Sequence, residues 1–232
     1  MITTQHSATV SYKRNQVEEA ISRIFDPNCE KPPSMLRSRI KRLLELDRSM
    51  GRKVRSKDPE EGNFAFFSEE APGTGVDISF SEYEAFALIN GLTIMDHRWT
   101  QSSAVSVMRH VRRDLEREHA RILRQDPGKL FDWEAIRARA RPGDLAVSNT
   151  DPVFLTIVAK AERADEGQTA PVAAVCRGVS KVGEFSRTLG ATSVTLFEVA
   201  TLAHKLHQEL MKTEPRRRGR RVAVTVSVAA KP

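Results

Sequence analysis

The chain has 232 residues, 40% of them hydrophobic, and its 37 Lys and Arg residues exceed its 30 Asp and Glu residues to give a formal net charge of +7. This length and apolar content can fill one large core or two small ones, which excludes a chain that is disordered throughout. No apolar run approaches the roughly 20 residues that cross a bilayer and no secretory signal is visible, so we expect a cytoplasmic protein without membrane contact.

Two helices are predicted behind a flexible arm of residues 1–9. Apolar residues at helical spacing predict the first helix over Tyr12–Phe25, and a proline two residues later prevents its continuation. A rigid, proline-containing connector follows over Asp26–Pro33. Ser34 is then expected to cap a second helix, which ends near Gly51.

The second helix and the loop behind it carry the most concentrated charge in the sequence. Between Arg37 and Lys57 there are nine Lys or Arg residues and only two acids, Glu45 and Asp47, a local excess that equals the net charge of the whole chain. The nine cations, which we expect to contact DNA, are Arg37, Arg39, Lys41, Arg42, Arg48, Arg52, Lys53, Arg55 and Lys57. A stripe of this density attracts phosphate polyanions, which makes double-stranded DNA the expected partner. A charged face is also the ordinary exterior of an amphipathic helix, and the sequence leaves both interpretations open.

A β-hairpin is predicted after this charged segment. Residues 52–62 are charged and poor in apolar anchors, so we expect them to be mobile. Asn63–Phe67 and Val76–Phe80 are short aromatic or β-branched runs on either side of a sequence rich in turn-forming residues. That pattern is typical of two paired strands.

Two more helices are predicted behind the hairpin. Ser81, with a glutamate three positions on, forms a capping-box pattern that opens a helix through about Asp96. Thr100 or Ser102 is expected to cap the next helix, which ends at about Gln125 before an Asp-Pro-Gly sequence.

The order helix, helix, hairpin, helix, helix over about residues 10–125 resembles that of the mercury-resistance-regulator (MerR) type of winged-helix transcription regulators. The stretch Phe80–Met108 carries most of the resemblance, because it is similar to the helix pair that these proteins have after their wing. The resemblance implies that the cations of the second helix read the DNA groove. It also implies that His97 and Arg98 lie in a second loop able to touch the DNA backbone.

The fold class that this implies is α+β and mostly helical, with an N-terminal winged helix-turn-helix-like domain over residues 10–126. Two features differ from the family pattern. The connector between the first two helices is longer than a tight helix-turn-helix turn, and Glu69 and Glu70 occupy the presumed wing tip. Acids at that position would repel phosphates, so the hairpin can equally face protein.

A smaller C-terminal α+β domain is expected over residues 127–212, for dimerisation or partner contact. Asp132–Ala140 reads as a short capped helix, and Val153–Ala159 and Pro171–Cys176 as a pair of strands. A long helical region is predicted to begin at Ser180.

That helical region is expected to be interrupted near Gly190 and capped again by Thr192 or Ser193. Its second part has apolar residues at alternating spacings of three and four, as in a helix that packs lengthwise on another. These residues are Leu196, Val199, Ala203, Leu206 and Leu210. The partner helix can belong to the same core or to a second subunit, so a homodimer through Leu196–Leu210 stays open beside the core interpretation.

Residues 213–232 are predicted to form a basic tail. Arg216–Arg221 contains five arginines directly after a proline. A flexible arm of this kind neutralises phosphates without reading bases.

Candidates for catalysis or metal binding are few. Cys29 and Cys176 have no second Cys or His at ligand spacing, and His204 and His207 share a helical side without a visible third ligand. We therefore expect no catalytic residue, no metal and no cofactor.

The preferred hypothesis is a DNA-binding transcriptional regulator that is not an enzyme. The alternatives are a scaffold protein whose basic helix docks on an acidic partner and an enzyme that uses Cys176, His204 or His207.

Overall fold

The computed structural model describes residues 10–68, 70, 78–143, 145–159 and 172–215. The predicted N-terminal arm, most of the predicted hairpin turn and the arginine-rich segment 216–221 lie outside these residues. In the described ranges, no helix combines the length and the apolar character needed to cross a membrane.

The chain is α+β and mostly helical, as predicted. Its N-terminal part contains, in chain order, β1 (Tyr12–Lys13), α1 (Arg14–Phe25), α2 (Ser34–Met50), α3 (Pro59–Gly62), β2 (Ser79–Phe80), α4 (Glu82–Asp96) and α5 (Gln101–Ile122). Its C-terminal part contains α6 (Pro127–Leu130), α7 (Trp133–Arg139), β3 (Val153–Ala159), β4 (Val172–Arg177), α8 (Gly178–Thr188), β5 (Ser193–Glu198) and α9 (Ala200–Met211).

Most predicted helix boundaries coincide with side chains or backbone conformations that satisfy the helix ends. The Ser81 side chain accepts a hydrogen bond from the backbone N–H of Glu84, and the Glu84 carboxylate accepts one from the Ser81 N–H, which confirms the capping box. Thr100 caps α5, and Gly51 ends α2 with a φ of 61°. The prediction for Ser34 is wrong, because the proline before it occupies the cap position and Ser34 is the first helical residue.

Helix α4 forms the centre of the fold. All residues from Tyr83 to Leu92 are buried, which follows from a sequence that is apolar on nearly every side of the helix. Helices α2, α5 and α9 pack around it. Gly91 allows the ring of Phe66 to lie directly against the α4 backbone, since a Cβ atom at Gly91 would be 3.0 Å from Phe66 Cζ.

The prediction of a first hairpin strand over Asn63–Phe67 is wrong. Asn63–Phe67 is irregular backbone, and Ser79–Phe80 pairs antiparallel with Tyr12–Lys13 instead. The apolar side chains of Asn63–Phe67 are buried in the core, so their aromatic character reflects packing and not strand pairing.

Side chains take the place of a neighbouring strand along this segment. The carboxylate of Asp47 on α2 accepts hydrogen bonds from the backbone N–H groups of Ala65 (3.0 Å) and Phe66 (2.9 Å). Arg112 on α5 donates to the carbonyl oxygens of Phe64 (2.9 Å) and Ala65 (3.2 Å). Because these buried backbone groups are satisfied from both sides, the segment needs no sheet partner.

The C-terminal part contains a three-stranded antiparallel sheet in the order β4-β3-β5. The predicted pairing of β3 with β4 is confirmed. The prediction of a helix capped at Thr192 or Ser193 is wrong, because Ser193–Glu198 is the third strand and places Leu196 in the sheet. The Glu198 carboxylate accepts hydrogen bonds from the backbone N–H groups of Ala200 and Thr201, the first two residues of α9, and so satisfies the N-terminal end of that helix.

The two faces of this sheet have different neighbours. Val153, Leu155 and Ile157 belong to the main core, and α5 packs on that side. Phe154 points to the opposite face and packs with Val182 of α8. The sheet therefore lies between the helical body and α8.

Helix α9 returns to the N-terminal part and packs on α1. The Gln16 side chain donates to the Thr213 carbonyl oxygen (3.1 Å), and one hydrophobic cluster contains buried residues from both predicted domains. Ala203, Leu206 and Leu210 of the predicted seam are buried in this cluster. A homodimer through these three residues would require α9 to separate from the rest of its own chain.

Candidate nucleic-acid interface

The outward face of α2 is exposed along its length and carries three cations. Leu36, Ile40, Leu43, Leu44 and Asp47 are the buried residues of this helix. At about 100° per residue, Lys41 and Arg42 fall on the other side and Arg37 on the flank of the buried stripe, and all three side chains are exposed. The predicted basic helix therefore presents its cations outward.

Three of the nine predicted DNA-contacting cations have acidic partners. Arg39 lies 2.7 Å from Asp96, at the end of α4, and also donates to the Leu92 carbonyl oxygen. Lys41 lies 3.6 Å from Glu45 one turn later on the same exposed face. Lys53 lies 2.6 Å from Glu61, and this contact raises the pKa of the lysine and lowers that of the glutamate.

Four of the nine have neither an acidic partner nor an aromatic ring contact within the described residues. They are Arg37, Arg42, Arg55 and Lys57, and all are exposed. An exposed guanidinium or ammonium without a carboxylate neighbour retains its full charge for a phosphate. These four residues are the part of the basic segment that is open to a polyanion.

The two remaining cations, Arg48 and Arg52, lie over aromatic rings. The Arg48 guanidinium carbon is 5.9 Å from the centre of the Phe67 ring, and that of Arg52 is 5.5 Å from the centre of the Phe64 ring. Arg48 is half-buried, and its enclosed Nε has no hydrogen-bond partner in the described chain. Arg48 therefore packs at the edge of the core, whereas Arg52 is exposed.

The two acids of the basic segment lie on opposite sides of α2. Glu45 is on the surface, but Asp47 is completely buried. The Asp47 carboxylate lies 2.7 Å from Nε of Arg109, which itself is 2% exposed and donates a second hydrogen bond to the Asp47 carbonyl oxygen (2.6 Å). This buried pair neutralises itself internally, so Asp47 subtracts little from the positive field outside.

The loop behind α2 is attached to the body of the protein, contrary to the prediction of a mobile segment over residues 52–62. The Lys53 N–H donates to the Glu61 carbonyl oxygen (2.8 Å), and the Ser56 hydroxyl donates to the Glu61 carboxylate (2.9 Å). Asp58 caps the short helix α3. Arg109 then donates to the Glu60 carbonyl oxygen, which joins α3 to α5. The cations of the loop are thus held next to the C-terminal end of α2.

The ends of α4 and α5 on either side of their connecting loop contact α2. Gln101, the first residue of α5, donates to the Arg42 carbonyl oxygen (2.8 Å), and Asp96, the last residue of α4, is the partner of Arg39. Within this loop Arg98 is exposed and has a φ of 69°. His97 packs edge-on against Phe197 of β5. Arg98 is therefore a further cation in a loop that borders the exposed face of α2.

Two arginines of α5, Arg109 and Arg112, are buried. Arg109 donates a hydrogen bond to the Asp47 carboxylate, and Arg112 donates to the backbone of residues 63–67. An exposed ion pair also occurs on this helix, between Arg117 and Asp114. The sequence contains a signal for the burial of Asp47 and Arg112, because Asp47 falls on the apolar stripe of α2 and Arg112 on that of α5.

The residues considered for catalysis do not assemble into one site. Cys176 packs between the sheet and α8, and no hydrogen bond joins it to either histidine in the described chain. His204 packs edge-on against Phe131, and His207 lies 2.8 Å from the Glu82 carboxylate. Across the described ranges, no group of three or more His, Cys, Asp or Glu side chains is arranged to hold a metal ion.

No protein-family model matches this chain, and no curated protein and no solved structure is significantly similar to it.

Proposed function

We propose that the protein binds double-stranded DNA and acts as a transcriptional regulator, with the outward face of α2 and the loop behind it as its contact surface. The observation that carries the proposal is the set of exposed cations with neither an acidic partner nor an aromatic contact in the described chain, Arg37, Arg42, Arg55 and Lys57. Unpaired surface cations gathered on one helix and its following loop are what sequence-independent phosphate attraction requires.

The dimensions of α2 are compatible with contact in a groove. Its 17 residues span about 25 Å at about 1.5 Å per residue. In a winged helix-turn-helix mode, α2 would lie in the major groove and its cations would reach phosphates and base edges. Support for that mode comes from the helix and not from a wing, because Ser79–Phe80 pairs with Tyr12–Lys13 and not with Asn63–Phe67.

Fluorescence anisotropy with a labelled DNA duplex tests the proposal at a fixed 0.1 M salt. Each phosphate contact contributes about 0.9 to the salt slope, which corresponds to about eightfold in affinity at 0.1 M relative to 1 M salt. Arg37→Ala/Arg42→Ala should therefore weaken duplex binding by tens of fold. Arg55→Ala/Lys57→Ala should act in the same direction.

A matched control removes two cations elsewhere. Arg117 on α5 and Lys181 on α8 are exposed and paired with acids on their own helices. Arg117→Ala/Lys181→Ala changes the net charge by the same amount and should alter binding by less than about threefold. Equal losses of affinity in Arg37→Ala/Arg42→Ala and in this control variant would contradict the assigned surface. Failure of the unaltered chain to bind duplex DNA at low salt would favour docking of α2 on an acidic protein.

A further inference from the structure

A cleft of about 440 Å³ lies on the C-terminal part of the molecule, between α7, the chain leading into β3, and the start of α8. One face of α7 forms its first wall, with Trp133, Ile136 and Arg137 at helical spacing. Leu145 and Val179 are in the opposite wall. Its volume is within the range that accommodates small organic ligands.

The walls of the cleft expose apolar surface that the fold leaves uncovered. Trp133 is 61% exposed, Leu145 44% and Val179 43%. Of the nine large apolar side chains in the described chain that are at least 43% exposed, these three converge on one concavity. Convergent exposed apolar side chains at a concave surface are typical of a binding site, whereas scattered single ones are not.

All charged side chains among the described lining residues of the cleft are positive. Arg137, Arg139 and Arg141 line it, and none of the other described lining residues is acidic. Arg137 is exposed and has no acidic partner in the described chain, and Arg139 uses one nitrogen to donate to the Thr150 carbonyl oxygen (3.2 Å). A guanidinium presents several donors, so both side chains retain N–H groups for an anion.

We propose that this cleft binds a small aromatic carboxylate. The indole of Trp133 and the aliphatic wall would cover the ring, and the guanidinium groups of Arg137 and Arg139 would pair with the carboxylate. The apolar area alone would suit a neutral compound, but the arginines at the rim favour an anion. This site is separate from the α2 surface and does not depend on DNA binding.

The full chain offers a direct spectroscopic probe, because its two tryptophans are Trp99 and Trp133 and only Trp133 lines the cleft. Naphthalene-2-carboxylate, added to ¹⁵N-labelled protein, should shift the Trp133 indole N–H resonance in a saturable manner and leave the Trp99 resonance in place. Trp99→Phe assigns the two signals. The neutral analogue naphthalene-2-methanol should bind at least about tenfold more weakly, as expected for loss of a charged hydrogen-bonded pair.

Variants at the rim separate charge recognition from apolar adsorption. Arg137→Gln/Arg139→Gln should weaken naphthoate binding by roughly 10- to 100-fold and leave the affinity for the alcohol unchanged. Arg137→Gln alone, which keeps the Arg139 contact with Thr150, should give a smaller loss in the same direction. Equal affinity for acid and alcohol, tighter binding of decanoate than of naphthoate, or no shift of Trp133 at millimolar ligand would each overturn the proposal.

Discussion

The buried pair of Asp47 and Arg109 connects the basic helix to the rest of the fold, and its removal gives a large predicted effect. The Asp47 carboxylate accepts hydrogen bonds from Arg109 Nε, from Ala65 N–H and from Phe66 N–H, and no part of its side chain is exposed. Asp47→Ala would leave one buried guanidinium charge and two buried backbone N–H groups without these acceptors.

The expected destabilisation follows from these losses. Breaking a buried ion pair by removing one partner costs about 3–5 kcal/mol, and each buried donor left unsatisfied costs about 1–3 kcal/mol. Relaxation and entry of water reduce the sum, so we expect Asp47→Ala to lower the free energy of unfolding by at least about 4 kcal/mol. This is a large part of the roughly 5–15 kcal/mol of a typical domain.

Urea unfolding followed by circular dichroism measures this change. Asp47→Leu/Arg109→Met removes both charges. Its loss of unfolding free energy should be at least about 2 kcal/mol smaller than the summed losses of Asp47→Leu and Arg109→Met. Asp114→Ala breaks the exposed pair with Arg117 and should change stability by less than about 0.5 kcal/mol. A loss below about 1 kcal/mol for Asp47→Ala would refute the assigned role of the pair.

Three further predictions concern single residues of the helices and their caps. Burial lowers the pKa of His119 to about 4, below the value of about 6.5 expected in the unfolded chain, so the unfolded state binds more protons between these values. The free energy of unfolding should therefore fall by up to about 3 kcal/mol as the pH drops from 6.5 to 4, and His119→Phe should remove most of this dependence in urea titrations at several pH values. Gly91→Ala brings a methyl group to 3.0 Å from the buried Phe66 ring and should lower the melting temperature, whereas Gly183→Ala, in a helix with open space around the added carbon, should raise it. Ser81→Ala removes the cap of α4 and should cost about 1 kcal/mol in chemical denaturation.

Local signals in the sequence predict the parts of the fold that depend on neighbouring residues. The capping box at Ser81, the cap at Thr100 and the helix end at Gly51 each act within one helical turn, and the structure confirms them. The pairing of β3 with β4 also follows from two apolar runs separated by a polar stretch of sequence. The exposed position of Arg37 and Arg42 follows from the helical period of α2.

The errors occur where distant residues decide the local structure. Asn63–Phe67 has the aromatic content of a strand, but its backbone is bound by Asp47 and Arg112, which lie on two different helices. The apolar spacing of Ser193–Glu198 continues into α9 and predicts a helix, yet pairing with β3 makes this segment a strand. Tertiary hydrogen bonds of this kind override local preference, and the sequence of the segment itself does not show them.

The charge state of the basic segment was only partly predictable. A count of nine cations and two acids overlooks that Asp47 is buried and that Arg39 and Lys53 are paired with acids outside the segment's own helix. Which cations remain unpaired depends on the positions of α3 and of the loop after α4. The sequence therefore located the candidate surface, and the structure selected the residues within it that are open to phosphate.

The salt dependence of duplex binding tests the central claim most directly. The measurement is the slope of the logarithm of the association constant against the logarithm of salt concentration, for the unaltered chain and for Arg37→Ala/Arg42→Ala. Loss of two phosphate contacts should make the slope less steep by about 1.8. An unchanged slope, with binding as tight as in the unaltered chain, would contradict the assignment of the α2 face as the DNA-binding surface.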